Sequence, residues 1–96
     1  MPLAFEWNPR KAELNRKKHY FTFAEAVSVF GDPLARIFAD ESHSATEERE
    51  IMISHSQSGK LVLICFIQVA TDRIRIISAR HATRREQRDY EENLKP

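Results

Sequence analysis

The sequence holds a single cysteine, Cys65, so no disulfide can form within the chain. Its place inside an apolar run makes it a small buried hydrophobe rather than a reactive thiol. Long apolar stretches are missing too. The longest uninterrupted run, Leu61 to Ile67, is far short of the roughly 20 residues that a membrane-spanning helix needs. The opening "MPLAFEWN" has neither the basic n-region nor the apolar h-region of a signal peptide, so the expected location is the cytoplasm, with no membrane contact. There is no repeat, linker or low-complexity segment, and 96 residues suffice for one domain with one modest core. None of the four histidines, His19, His43, His55 and His81, falls at a metal-ligand spacing, so neither a metal nor another cofactor is expected. No helix-turn-helix pattern occurs, which argues against direct DNA binding.

What is there is charge, unevenly placed. The net charge is only +1, yet residues 1–20 carry five basic and two acidic side chains, residues 21–59 two and seven, and residues 60–96 eight and five. A fold that joins the two basic ends would present a cationic face suited to an anionic partner. Charges scattered over a solvated surface are the alternative.

The pattern along the chain predicts an α+β fold with two N-terminal helices, a four-stranded mostly antiparallel sheet and a C-terminal helix. Asn8 followed by Pro9 starts a helix over 9–19. Lys11, Asn15, Lys18 and His19 share one side of it at three- and four-residue spacing. Thr22 and Glu25 form a capping box that opens a second helix over 23–30, where Phe23, Ala26, Val27 and Phe30 make an apolar stripe. "GDP" at 31–33 ends it. A strand is expected over 34–40, a polar loop with a helical turn over 40–50, then strands over 49–56, 61–69 and 73–80 joined by tight turns. The strand over 61–69 is apolar on both parities and reads as central, buried on both faces. Thr83 and Glu86 make a second capping box and start a helix that runs to about Leu94.

The junction between the last strand and the last helix gathers cations. Arg75, Arg80, His81, Arg84 and Arg85 lie within "RIRIISARHATRREQRDYE". Strand alternation puts Ile74, Ile76, Ser78 and Arg80 on one face, so that Arg80 ends a row of core residues at the sheet rim. Helix-terminal N–H groups beside these side chains form a plausible phosphate cradle. Equally, the arginines could pair with Glu47, Glu48, Asp89 and Glu91 on an exposed surface. His19 and His81 flank the basic segments, and a histidine titrating near neutrality beside Lys or Arg is what metal-independent phosphodiester chemistry needs. Glu48, at the start of a strand, could act as base or orient a cation, or simply charge a strand edge. Trp7 and Tyr90 are aromatics that either pack or face a nucleotide.

Taken together, "FEWNPRKAELNRKKH", "FTFAEAVSVFGDP", "D..HS..EER", "S.SGKLVLI" and "RIRIISARHATRREQRDYE" resemble, in order and spacing, the BrnT family of bacterial type II toxins over residues 5 to 91. The pair "FEW.P.KA..N..KH" and "RIISAR.ATRRE" is the most specific part. The resemblance implies a RelE-like endoribonuclease that cleaves RNA without a metal and inhibits translation. It also implies a BrnA-like antitoxin, a complex of two copies of each, and operator DNA bound only through the antitoxin. On that basis a ribose 2′-hydroxyl attacks the adjacent phosphate, and Arg80 stabilises the transition state. Proton transfer falls to His19, His81 or Glu48. Lys11, Lys18, Arg75, Arg84, Arg85 and Trp7 hold the RNA, and Tyr90 supplies a supporting contact. The rival expectation is a catalytically weak module whose basic face seats the antitoxin and supports regulation of its own operon.

Overall fold

The computed structural model describes residues 3–32, 34–39 and 48–93. The helical turn expected within 40–50 and the end of the last helix at Leu94 lie outside the described residues. Asn8 starts helix α1 (Pro9–His19), its Oδ1 accepting from the N–H groups of Arg10 and Lys11 at 2.9 and 3.2 Å. Tyr20 ends it in the left-handed region at φ 54°. The Thr22/Glu25 capping box opens α2 (Phe23–Ser28) as expected. The helix does not run on to 30: it tightens into a 3-10 turn over Val29–Gly31. That turn buries Val29 in place of Phe30 and lets the Ser54 hydroxyl donate to the Val29 carbonyl at 3.0 Å.

Five strands form one sheet: β1 (Ala4–Glu6), β2 (Arg36–Ala39), β3 (Glu50–His55), β4 (Leu61–Ala70) and β5 (Arg73–His81), in the order β1-β5-β4-β3-β2. Helix α3 (Arg84–Asn93) follows. The expected antiparallel strands are all present, but the four-stranded count is corrected to five. β1 adds itself parallel to β5, Ala4, Phe5 and Glu6 facing Arg73, Ile74 and Arg75, which makes the sheet mixed. Three residues are too few to carry a readable alternation.

α1 and α2 lie on the face of the sheet that holds the core. Phe21, Phe23, Ala26 and Val29 pack there on Met52, Val62, Ile64, Phe66, Ile74, Ile76 and Ala79. The other face of β4 is only half covered, with α3 contributing the buried Tyr90. Cys65 points to that side and is partly exposed, which corrects its expected burial. No helix among the described residues is long and apolar enough to cross a membrane.

Candidate functional site

The site is built on an irregularity in β5. Cys65 of β4 faces Ser78 and Phe66 faces Ile76, so Ile77 is an extra residue, a β-bulge that reverses the side-chain parity along the strand. Below it Ile74 and Ile76 enter the core; above it Ala79 does, fully buried. The expected single face of Ile74, Ile76, Ser78 and Arg80 is therefore corrected. Arg80 sits beside Leu63 and emerges on the α3 face of the sheet.

There Arg80 meets Glu86, the third residue of α3. Nη1 donates to Oε1 at 2.7 Å and Nη2 to Oε2 at 2.8 Å, while Nη1 also reaches the His81 carbonyl at 3.2 Å. Glu86 in turn belongs to the helix start: its Oε1 accepts from the Thr83 N–H at 2.9 Å and its own N–H donates to Thr83 Oγ1 at 3.2 Å. The Arg80 hydrogen bonds, aided by Thr83, outweigh burial and hold the Glu86 carboxyl down at about 2. Arg84 and Arg85 extend from the same first turn, both exposed.

The α1 end borders the same strand. Asn15, buried, joins helix to sheet: its Nδ2 donates to the carbonyls of Ala79 (2.8 Å) and Phe21 (2.9 Å), and its Oδ1 accepts from the Ala79 N–H at 3.1 Å. One amide thus satisfies the outer edge of β5 beyond the reach of β1. Around it Lys11, Lys18 and His19 line a shallow groove of about 220 Å³ with Ile77 and Ser78. Partial burial, then the charges of Lys18 and Arg80, push the His19 imidazole below its ordinary value, which favours its neutral form. His81, at the exposed end of β5, places its ring edge-on to Phe21 with centroids 5.2 Å apart.

On the α3 side Arg80 also borders a cavity of about 420 Å³ floored by Ile51, Ile53 and Leu63. Tyr90 forms one wall, its hydroxyl donating to the Leu34 carbonyl at 2.8 Å and the Arg36 guanidinium lying 5.9 Å from its ring centre. Burial raises the Tyr90 hydroxyl, helped by the Asp32 charge and opposed by Arg36. Behind it His55 meets the Tyr90 ring at 5.5 Å and shares its Nδ1 with Asp32 Oδ2 at 3.0 Å.

Arg80 links two groups of the expected residues: its charge reaches His19, which shares the α1 groove with Lys11 and Lys18, and its guanidinium is bonded to α3, whose first turn carries Arg84 and Arg85; His81 follows it in β5, and Tyr90 stands across the cavity. The structure separates three other expected members. Glu48 borders a depression with Glu50, Gln68 and Thr71, beyond the opposite end of the strands from Arg80. Arg75 lies roughly 15 Å down the strand from Arg80, at ~3.3 Å per residue, and bonds Glu6 at 2.9 Å. Trp7 packs edge-on to Phe23 at 5.8 Å on the core face. Two features escaped the sequence reading. Glu86 is visible there only as a helix cap, although an arginine just before a capping box is a signal that the cap can serve twice. The Asp32–His55 pair joins residues 23 apart, and nothing local announces it.

Comparison with known proteins finds both a family and a related fold. The family model for the ribonuclease toxin BrnT of type II toxin-antitoxin systems matches residues 7–86. The crystal structure of the ribonuclease toxin BrnT from Brucella abortus superposes with a TM-score of 0.68 at 22% identity, covering 85% of this chain and 99% of that one; at that identity the match speaks for a shared fold. No curated protein sequence matches.

Proposed function

The chain belongs to the BrnT family of ribonuclease toxins of type II toxin-antitoxin systems, and from that membership we propose that its strand-to-helix junction cleaves RNA. The observation that carries this reading is the place of the oriented Arg80 guanidinium, between the α1 groove of Lys11, Lys18 and His19 and the first turn of α3 with its exposed Arg84 and Arg85. Neutral His19 can take the proton of a ribose 2′-hydroxyl as that oxygen attacks the adjacent phosphorus. The 2′-oxygen–phosphorus bond forms, the bond to the 5′-oxygen breaks, and His81 is the group that returns a proton to the departing oxygen. The products are a cyclic phosphate and a free 5′-hydroxyl. Arg80 stabilises the charge that builds on the phosphoryl oxygens.

Lys11, Lys18, Arg84 and Arg85 hold flanking phosphates. Two arginines in the first turn of α3 oppose the positive end of the helix dipole, and an anion seated there relieves that repulsion. Tyr90 bounds the cavity next to Arg80 and supports the strand from beneath. Nothing in this chemistry calls for a metal ion. The toxin would act in the cytoplasm on RNA and inhibit translation, neutralised by a BrnA-like antitoxin in a complex of two copies of each that binds operator DNA only through the antitoxin.

The test is cleavage of a labelled RNA, in EDTA, by antitoxin-free protein and by Arg80→Ala. Cleavage by the former, lost in the variant with its circular dichroism unchanged, is the expected result. Absence of cleavage by the unaltered protein, even with ribosomes present, favours a basic module that only seats the antitoxin.

A further inference from the structure

We propose that Glu86 is a positioning residue for the reaction, fixing the Arg80 guanidinium so that one edge of it faces the scissile phosphate. The proposal rests on the ribonuclease reading of the junction. A guanidinium has five N–H groups. Among contacts between described residues, Glu86 takes one from each terminal nitrogen and the His81 carbonyl takes a second from Nη1. What remains is Nε–H and the neighbouring Nη2–H, two parallel donors on one edge. That is the pair that grips two oxygens of a phosphate.

Glu86 can perform this because it is itself held. Its Oε1 is fixed by the Thr83 N–H at 2.9 Å, and its backbone N–H by Thr83 Oγ1 at 3.2 Å. The capping box thus converts the start of α3 into a rigid bracket for a strand residue. Arg80, about one-third exposed, has a long flexible stem and would otherwise sample many rotamers at the rim. Bracketed, it meets the phosphate with that entropy already lost, which is how a charged group contributes most to a transition state.

The side-chain cap needs only Oε1 whereas the bracket needs both carboxylate oxygens, and this separates a positioning role from a merely structural one. In Glu86→Gln the amide oxygen still accepts from Thr83 N–H and Arg80 Nη1. The amide nitrogen, however, points its donors at Nη2–H, so the guanidinium must swing away. Glu86→Asp keeps the negative charge in the first turn of the helix but is one methylene too short to span to Arg80. Single-turnover cleavage of an RNA oligonucleotide by antitoxin-free protein should show the maximal rate falling about 10- to 100-fold in both variants. The RNA concentration at half-maximal rate should change less than about threefold, because Lys11, Lys18, Arg84 and Arg85 still hold the flanking phosphates.

A second readout is one that loss of stability does not move. Added guanidinium ion should partly restore cleavage to Arg80→Ala, where Glu86 remains to seat it, but not to Arg80→Ala/Glu86→Gln. Wild-type maximal rates in both Glu86 variants, or equal rescue in both Arg80→Ala backgrounds, would overturn the positioning role while leaving the ribonuclease reading intact. Failure of the unaltered protein to cleave overturns both. Should Glu86→Gln fail to fold, the Glu86→Asp rate decides.

Discussion

Tyr20 closes α1 at φ 54° and is 87% exposed as a residue, so it contributes almost nothing to the core while holding a conformation that favours glycine. Tyr20→Gly should therefore stabilise the fold by about 1 kcal/mol, read as a higher urea midpoint at unchanged slope. Asn15 is the opposite case. Its amide serves three backbone groups in the interior, and Asn15→Leu would leave the Ala79 N–H and two carbonyls without partners, at a cost of about 3 kcal/mol. The same variant should weaken cleavage, because α1 carries His19 and Lys18. From sequence Asn15 could be placed on the cationic side of α1, but its partner Ala79 lies 64 residues away and no local pattern marks it as buried. Asp32 is a third such residue. Burial opposes its charge, yet donors from Leu34, His55 and Ser54 hold its carboxyl at about 2. Because Asp32 and Glu86 both bind protons more weakly folded than unfolded, each adds stability above pH ~4 that is lost as pH falls toward 2. Urea midpoints measured from pH 6 down to 2.5 should drop across that window, and Asp32→Asn should lower the value at pH 6 while making the decline shallower.

At the scale of elements, the strands β2 to β5 and all three helices were legible because each carries a local signal. Capping boxes mark two helix starts, an Asn-Pro pair the third, and apolar alternation the strands. β1 was not, since a three-residue strand depends on its neighbour β5 rather than on its own pattern. The bulge at Ile77 was also hidden. Counting alternate residues assumes a regular strand, and one extra residue sends every later side chain to the other face. The site depends on that bulge: with Ile77 accommodated as an extra residue, Arg80 faces α3 and Ala79 faces Asn15. Deletion of Ile77 should leave a regular ladder in which Ser78, Ala79 and Arg80 keep their partners Cys65, Ile64 and Leu63, so that Arg80 still faces α3. Cooperative thermal unfolding by circular dichroism should therefore persist in the deletion variant, with Arg80 still beside Glu86. A deletion variant without a cooperative transition would show that Ile77 does more than sit as an extra residue between two regular stretches of β5.

At the scale of the whole molecule, the fold answers the question posed by its charge distribution. The basic first helix packs beside the last strand, whose end leads into the basic start of the last helix, while acidic Glu48 and Glu50 lie toward the other end of the sheet. A net charge near zero therefore conceals a dipolar arrangement, legible in sequence as an uneven tally but not as a surface until β5 is seen packed beside α1. An RNA held by these elements displaces counterions in proportion to the phosphates it pairs. With Lys11, Lys18, Arg80, Arg84 and Arg85 engaged, the slope of log affinity against log salt for a single strand should be about −3 to −4, each cation contributing roughly 0.7. Replacing Arg84 and Arg85 by alanine should flatten that slope by about 1.4. Arg73→Ala removes an equal unit of charge at the far end of the same strand, where Arg73 lies 3.8 Å from Glu6, and should leave the slope unchanged. Equal flattening by all three replacements would mean that RNA responds to total charge alone. Flattening confined to the α3 pair would place the phosphates at the junction, where the arginine held by Glu86 is ready to meet them.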